Sequence, residues 1–81
     1  YAWNGKGNAL DDLEKYEEAI KCYDKALAIN PNYAYAWNNK GVALRNLGKY
    51  SEAIQCYDKA LAINPNYENA WYGKGLTLGS L

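Results

Sequence analysis

A 34-residue period constrains this chain more than any other feature it has. Set residues 1–34 above residues 35–68 and they differ at eight positions: Gly5/Asn39, Asn8/Val42, Asp11/Arg45, Asp12/Asn46, Glu14/Gly48, Glu17/Ser51, Lys21/Gln55 and Ala34/Glu68. The other 26 are identical. Trp3, Trp37 and Trp71 keep the spacing, as do Pro31 and Pro65, and residues 69–81 open a third copy and run to about its middle. A period of this size means one supersecondary unit stacked several times, each too small to bury its apolar side alone.

Within a copy the apolar residues fall at helical steps. Trp37, Gly41, Leu44 and Leu47 recur at three- and four-residue intervals with Ala36 and Ala43 beside them. Tyr50, Ala53, Ile54, Tyr57, Ala60, Leu61 and Ile63 do the same in the second half. That is the spacing of a helical stripe, and Ala and Leu are strong helix formers. Gly48, between Leu47 and Lys49, suits the left-handed conformation that closes a helix. The first copy has Glu14 there, where that conformation costs about 1–2 kcal/mol. The second run ends at Asn30-Pro31 and Asn64-Pro65, because proline disfavours helical geometry in the residue before it and has no N–H. Asn32 and Asn66 are expected to cap the helices that follow. The pattern predicts an all-α fold of five helices, at about 1–13, 16–29, 33–47, 50–63 and 67–81. Short links make neighbours antiparallel, giving a solenoid of helix hairpins.

These residues resemble the tetratricopeptide repeat family, whose 34-residue pattern runs Trp, Leu-Gly, Tyr, Ala, an aromatic, Ala and Pro. Here it reads Trp37, Gly41, Leu44, Tyr50, Ala53, Tyr57, Ala60 and Pro65, and in the first copy Trp3, Gly7, Leu10, Tyr16, Ala19, Tyr23, Ala26 and Pro31. Two departures are consistent: Leu10, Leu44 and Leu78 replace an aromatic, and Lys6, Lys40 and Lys74 stand where Leu is usual. A Lys stem can lie along apolar surface with its ammonium in water, so the fold tolerates the second. The resemblance covers the whole chain. It implies one domain over 1–81, with repeats at 1–34 and 35–68 and the first helix of a third at 69–81.

Small residues, Gly41 with Ala53 and Gly7 with Ala19, let the helices of a hairpin approach closely. Trp37, Tyr50, Tyr57 and Leu61 then fill the space between hairpins. Burying one such aromatic removes about 150–250 Å² from water, worth at most roughly 4–6 kcal/mol. Ordering a hairpin opposes folding by about 1.5 kcal/mol per residue, so neighbour interfaces must supply the surplus. The last helix is expected to stack on the second hairpin with Trp71 and Leu78 in the core. One apolar strip of it then stays open and offers a surface for end-to-end self-association.

Nine basic and nine acidic side chains cancel, which gives no pull toward nucleic acid or anionic lipid. No apolar run approaches the roughly 20 residues that cross a bilayer. With no initiator Met and no signal-peptide pattern, the chain reads as an excerpt, and a cytoplasmic setting is expected. Catalysis finds little to work with: there is no His, and Ser51, Ser80 and Thr77 have no base beside them. The pairs Asp11-Asp12 and Glu17-Glu18 read as solvated helix-end charges. Cys22 and Cys56 occupy equivalent places about 10 Å apart, beyond the roughly 7 Å of a disulfide, and read as half-buried reduced thiols. Gly73-x-Gly75-x-x-x-Gly79 has no strand before it and is no dinucleotide loop. No cofactor, metal or enzymatic activity is expected.

What remains is the inner surface. In the family this resembles, the first helix of each hairpin lines a concave groove. The corresponding face presents Tyr1, Asn4, Asn8, Asp11 and Asp12, then Tyr35, Asn38, Asn39, Val42, Arg45 and Asn46, then Asn69, Tyr72, Gly73 and Leu76. An amide both donates and accepts, which suits holding an extended peptide backbone. Some relatives clamp a chaperone's C-terminal carboxylate with basic residues and two asparagines. Asn8 and Asn39 match the asparagines, but Asn4, Asn69 and Gly73 stand where the cations belong, so that clamp lacks its charge-assisted bonds. The expected function is a scaffold that binds a protein or peptide in this groove. The alternative is a structural, self-associating solenoid segment, or a consensus-like sequence with no evolved ligand.

Overall fold

The computed structural model describes residues 15–81, and these form four α-helices: α1 (Tyr16–Ile29), α2 (Ala34–Asn46), α3 (Tyr50–Ile63) and α4 (Glu68–Gly79). The helix expected at about 1–13 lies outside the described residues. Successive helices pack antiparallel-fashion in hairpins, α2 and α3 most extensively, and α2 also touches α4 directly. The buried residues of α1 are Ala19, Cys22, Tyr23, Ala26 and Leu27. Those of α3 are Ala53, Cys56, Tyr57, Ala60 and Leu61, the same side chains one period later. Both sets follow the i, i+3, i+4, i+7, i+8 stripe of a helix with one covered face.

The turn between α2 and α3 closes as its sequence requires. Gly48 has φ +81°, its N–H donates to the Arg45 carbonyl at 2.9 Å, and the Lys49 N–H reaches the Leu44 carbonyl at 2.9 Å. This is a Schellman ending, in which a residue without a Cβ takes the left-handed position.

The links α1–α2 and α3–α4 repeat each other almost atom for atom. Asn30 and Asn64 are extended, as a residue before proline prefers. Contrary to the expected capping by Asn32 and Asn66, no side chain caps α2 or α4, whose N-caps are Tyr33 and Tyr67. The asparagine before the proline acts instead: Oδ1 of Asn30 accepts from the Asn32 N–H and Oδ1 of Asn64 from the Asn66 N–H, both at 3.2 Å. These Asx turns compete locally with helix continuation. The indole N–H of Trp37 donates to the Pro31 carbonyl at 2.9 Å, and that of Trp71 to Pro65 at 2.8 Å. The Trp–Pro pairing in the repeat is therefore a clasp from each first helix onto the link that precedes it.

Tyr57 is the centre of the stack. It is fully buried, and a Cβ added at Gly41 of α2 or Gly73 of α4 would meet its ring at 2.8 Å or 2.7 Å. One ring thus fills the space between a helix of its own hairpin and a helix of the next, and both backbones approach it through glycine. Around it cluster Leu44, Ala53, Cys56, Ala60, Leu61 and Ala70, with Trp37, Val42 and Tyr67 packed against them. The expectation for α4 needs correction. Trp71 and Leu78 are not core residues; they are 54% and 51% exposed, and Ala70, Gly73 and Thr77 are buried instead. Gly73 leaves the open face on which it was expected. Thr77 stands where the second copy has Ala43, and its buried hydroxyl is satisfied by donating to the Gly73 carbonyl at 2.7 Å.

Candidate peptide-binding face

Of the residues expected to line the groove, Tyr1, Asn4, Asn8, Asp11 and Asp12 lie outside the described residues. The others sit on two helices in contact. On α2, Tyr35 and Asn46 are exposed, Asn39, Val42 and Arg45 are half-buried, and Asn38 is turned inward at 6% exposure. The Asn38 Oδ1 is buried with no hydrogen-bond partner. On α4, Asn69, Tyr72 and Leu76 are all exposed, Tyr72 at 71%. Val42 divides its surface, with part packed on the central cluster. The steps 35, 39, 42 and 69, 72, 76 each follow one helical stripe, so the described candidates other than Asn38 form two parallel rows.

At the N-terminal ends of these rows the structure assembles an aromatic cluster that the sequence reading did not anticipate. The rings of Tyr33 and Tyr35 lie with centroids 6.2 Å apart and planes tilted by 54°. Tyr67 joins them. Its pKa is raised above the ordinary 10.0, first by burial and then by the neighbouring Tyr35 and Tyr33 hydroxyls, while a side-chain hydrogen bond with Asn69 opposes the shift. Burial disfavours a phenolate, so the hydroxyl stays protonated and able to donate. Recurrence of Tyr33 and Tyr67 one period apart, each just before a first helix, is the signal that could have located the cluster.

Two cations of the first helices, Lys40 and Lys74, are engaged with carboxylates of the preceding helices. Lys40 Nζ contacts Asp24 at 2.7 Å and Lys74 Nζ contacts Asp58 at 2.7 Å, each joining a second helix to the first helix of the next copy. Lys40 and Lys59 also lie over the Trp37 ring at 5.6 Å and 5.8 Å, and Lys74 over Trp71 at 5.8 Å. The Lys found where Leu is usual is thus a link between copies rather than a charge left free in water. Its sequence signal was a 16-residue Asp-to-Lys offset, 24 to 40 and again 58 to 74.

A cleft of about 340 Å³ between α2 and α3 is lined by Trp37, Lys40, Leu44, Glu52, Gln55, Cys56 and Lys59. Cys56 and Cys22 are free and buried, more enclosed than the half-buried thiols expected. Burial pushes the Cys56 thiol up to about 11 against a smaller lowering by Lys40, so it is a neutral packing group at neutral pH. Among the described residues no three His, Cys, Asp or Glu side chains gather as a metal site, and no helix is long and apolar enough to cross a membrane.

Stacked antiparallel hairpins joined by Asn-Pro turns, with a Trp clasp on each link, define a helical-repeat protein. The family profile of the tetratricopeptide repeat matches residues 1–33 and 34–67, and the chain belongs to that family. Among solved structures, the Sgt2 TPR domain from Aspergillus fumigatus superimposes with a TM-score of 0.91 at 29% identity, over 94% of this chain and 50% of that one. The second TPR of Spaghetti (RPAP3), bound to the HSP90 peptide SRMEEVD, gives 0.93 at 29% identity, over 99% and 77%. The second TPR domain of human RPAP3, in complex with the HSP70 peptide SGPTIEEVD, gives 0.90 at 28%, over 93% and 62%. This chain therefore spans about half of the Sgt2 domain and more of the other two. Comparison with the curated proteins produced no match.

Proposed function

We propose that this chain is a protein-interaction module, one domain over 1–81, that holds an extended peptide in the groove between the first helices of its repeats. The observation that carries the reading is the open double row on α2 and α4: Tyr35, Asn39 and Val42 beside Asn69, Tyr72 and Leu76. It mixes aromatic surface with amides that both donate and accept, which lets backbone groups be held whatever the side chains. Neighbours of the same fold that hold peptides in their solved complexes support it. The peptides in those two complexes end in acidic residues, and Asn69 and Gly73 offer such an end no cation. Titration calorimetry with a panel of extended peptides, against the chain and against Asn39→Ala/Tyr72→Ala, tests the reading. Equal binding to both would remove the groove from the account.

A self-associating solenoid is the second reading, favoured by the exposure of Trp71, Leu78 and Leu81 at one end of the stack. Sedimentation across concentrations separates the two: mass that rises with concentration, with no peptide bound, selects it.

A further inference from the structure

On the side of α4 away from the groove, the chain carries one half of an interface whose other half it builds elsewhere. We infer that this side docks a single amphipathic helix of a partner protein, one that carries the stripe of α3 and seats an aromatic ring on Gly75. The face shares no residue with the rows of the groove and does not depend on the groove being used.

The half-interface is a copy of one on α2. Trp37, Gly41 and Leu44 recur on α4 as Trp71, Gly75 and Leu78. On α2 this set meets α3. Leu44, 5% exposed, clusters with Ala53, Cys56, Tyr57, Ala60 and Leu61, and Trp37 packs against them. A Cβ added at Gly41 would meet the Tyr57 ring at 2.8 Å. On α4 the same set is open among the described residues. Leu78 is 51% exposed and Trp71 54%, and nothing lies within 4 Å of a Cβ added at Gly75. Leu81, 69% exposed, extends the apolar surface. Identical side chains in opposite states of burial isolate what α4 lacks, which is a helix placed on it as α3 is placed on α2. Neighbour interfaces supply the stability of stacked repeats, so an open copy of one is surface with a built complement.

The chemistry of the occupant is written in the chain twice. Residues 19–27 and 53–61 both read Ala-x-x-Cys-Tyr-x-Lys-Ala-Leu. Alanines on either side of the tyrosine keep the stripe shallow, so that the ring alone projects and the glycine opposite receives it. Lys59, two residues after the ring, holds its Nζ 5.8 Å from the centroid of Trp37. A lysine at that place in the occupant reaches the open ring of Trp71 in the same way. A folded second copy does not offer this stripe, because Ala19, Tyr23, Ala26 and Leu27 are buried on α1 and Ala53, Tyr57, Ala60 and Leu61 on α3. The occupant is therefore a separate helix whose stripe is uncovered before it docks, an anchor-in-groove mode of recognition.

The test uses the 81-residue chain and an end-capped synthetic peptide of residues 49–64 as the partner helix, in reducing buffer. A second form is stapled between positions 58 and 62, both exposed on α3, so that its helix is ordered before it binds. Calorimetry should give one peptide per chain with a dissociation constant below about 100 μM, tighter for the stapled form. Amide chemical-shift changes should centre on Trp71, Gly75 and Leu78. Tyr57→Ala in the peptide should weaken binding at least about tenfold. Gly75→Ala in the chain should do the same while raising the chain's own unfolding midpoint, which separates a filled seat from a damaged fold. No binding by either peptide at about 1 mM, or full affinity for the Gly75→Ala chain, overturns the inference. Shifts centred on Trp37, Gly41 and Leu44 overturn it too, since the peptide has then displaced α3, and so do shifts confined to Tyr35, Asn39 and Tyr72 in the groove. A chain that associates with itself through α4 in sedimentation, and keeps that mass when peptide is added, assigns the face to a second copy instead.

Discussion

Replacing Gly73 and Gly75 by alanine, one at a time, should move stability in opposite directions although both lie on α4. Each substitution gains helix propensity, about 0.8–1 kcal/mol on removing a glycine from a helix interior. At Gly75 nothing lies within 4 Å of the added Cβ, so the gain stands alone. At Gly73 the Cβ would sit 2.7 Å from Cε1 and Cζ of Tyr57 and 2.9 Å from its oxygen. Real Cβ atoms do not approach so closely, and Tyr57 is fully buried with the Gly41 backbone also against its ring. Forcing a methyl into such a site costs about 1–3 kcal/mol. Gly73→Ala should therefore be neutral to about 2 kcal/mol less stable, and Gly75→Ala about 0.8–1 kcal/mol more stable. Thermal unfolding followed by circular dichroism resolves the gap, since 1 kcal/mol moves the midpoint of a domain this size by about 4–8 °C. The cost at Gly73 should also vanish in a Tyr57→Leu background, where the ring is gone, a coupling that a double-mutant cycle isolates. Two alanine variants stabilised alike would refute the account of Tyr57 as the ring wedged between two hairpins.

Three further outcomes follow from the turns, the ion pairs and the buried acids. Gly48→Ala, at φ +81°, should cost about 1–2 kcal/mol in urea unfolding, with an unchanged urea slope to mark an effect on the native turn. Lys40→Ala and Asp24→Ala should show a coupling of about 0.2–1 kcal/mol that fades at high salt, because the pair is partly solvated. Stability should decline in alkali. The folded-state pKa of Cys56 is raised from 9.0 to about 11 and that of Tyr67 is raised above 10.0, so the folded chain holds protons that the unfolded chain releases. Their stabilisation is fully present below pH 9 and is lost as pH climbs through about 11. For Cys56→Ser, whose hydroxyl does not titrate in this range, unfolding midpoints at pH 8 and pH 11 should differ less than for the parent chain.

Most of the fold was legible because the repeat states it twice. Five buried residues of α1 reappear on α3 one period later, and their spacing alone specifies which side is covered. Gly48 was legible because only one backbone conformation explains a glycine between two helical runs. The misreadings share one cause: periodicity says that a position is equivalent, and not what its neighbours are. Trp71 repeats Trp37, yet Trp37 is packed beside α3 and Lys59, while Trp71 is more than half exposed. Gly73 falls off the Trp, Gly and Leu stripe of the first helix, as Asn39 does, but the Tyr57 ring packs against it. Asn32 and Asn66 stand one residue before the N-caps Tyr33 and Tyr67 and have the right chemistry for a cap, but Asn30 and Asn64 form the turn earlier in the chain. The tyrosine cluster left one signal in the sequence, the recurrence of Tyr33 and Tyr67, but not the meeting of Tyr33 with Tyr35. It joins residues of two links with residues of two helices, a proximity no one-dimensional period contains.

The distribution of differences between copies bears on which function the fold serves. A purely structural solenoid needs its buried residues preserved and is indifferent to the rest, so substitutions between copies should scatter over all exposed positions alike. They do not. Of the eight, four fall at Asn39, Val42, Arg45 and Asn46 on α2, and two at Ser51 and Gln55 on α3. On α3 the exposed Glu52, Asp58, Lys59, Ala62 and Ile63 all match their counterparts on α1. In the partial third copy Tyr35 becomes Asn69 and Val42 becomes Leu76, Ala36, Trp37, Lys40 and Gly41 recur unchanged as Ala70, Trp71, Lys74 and Gly75, and the buried Asn38 and Ala43 become Tyr72 and Thr77. Most of the framework is copied, and the exposed rows on the first helices vary. That pattern supports the proposed binding face, because each repeat along a groove would meet a different part of an extended ligand and have to offer it different groups.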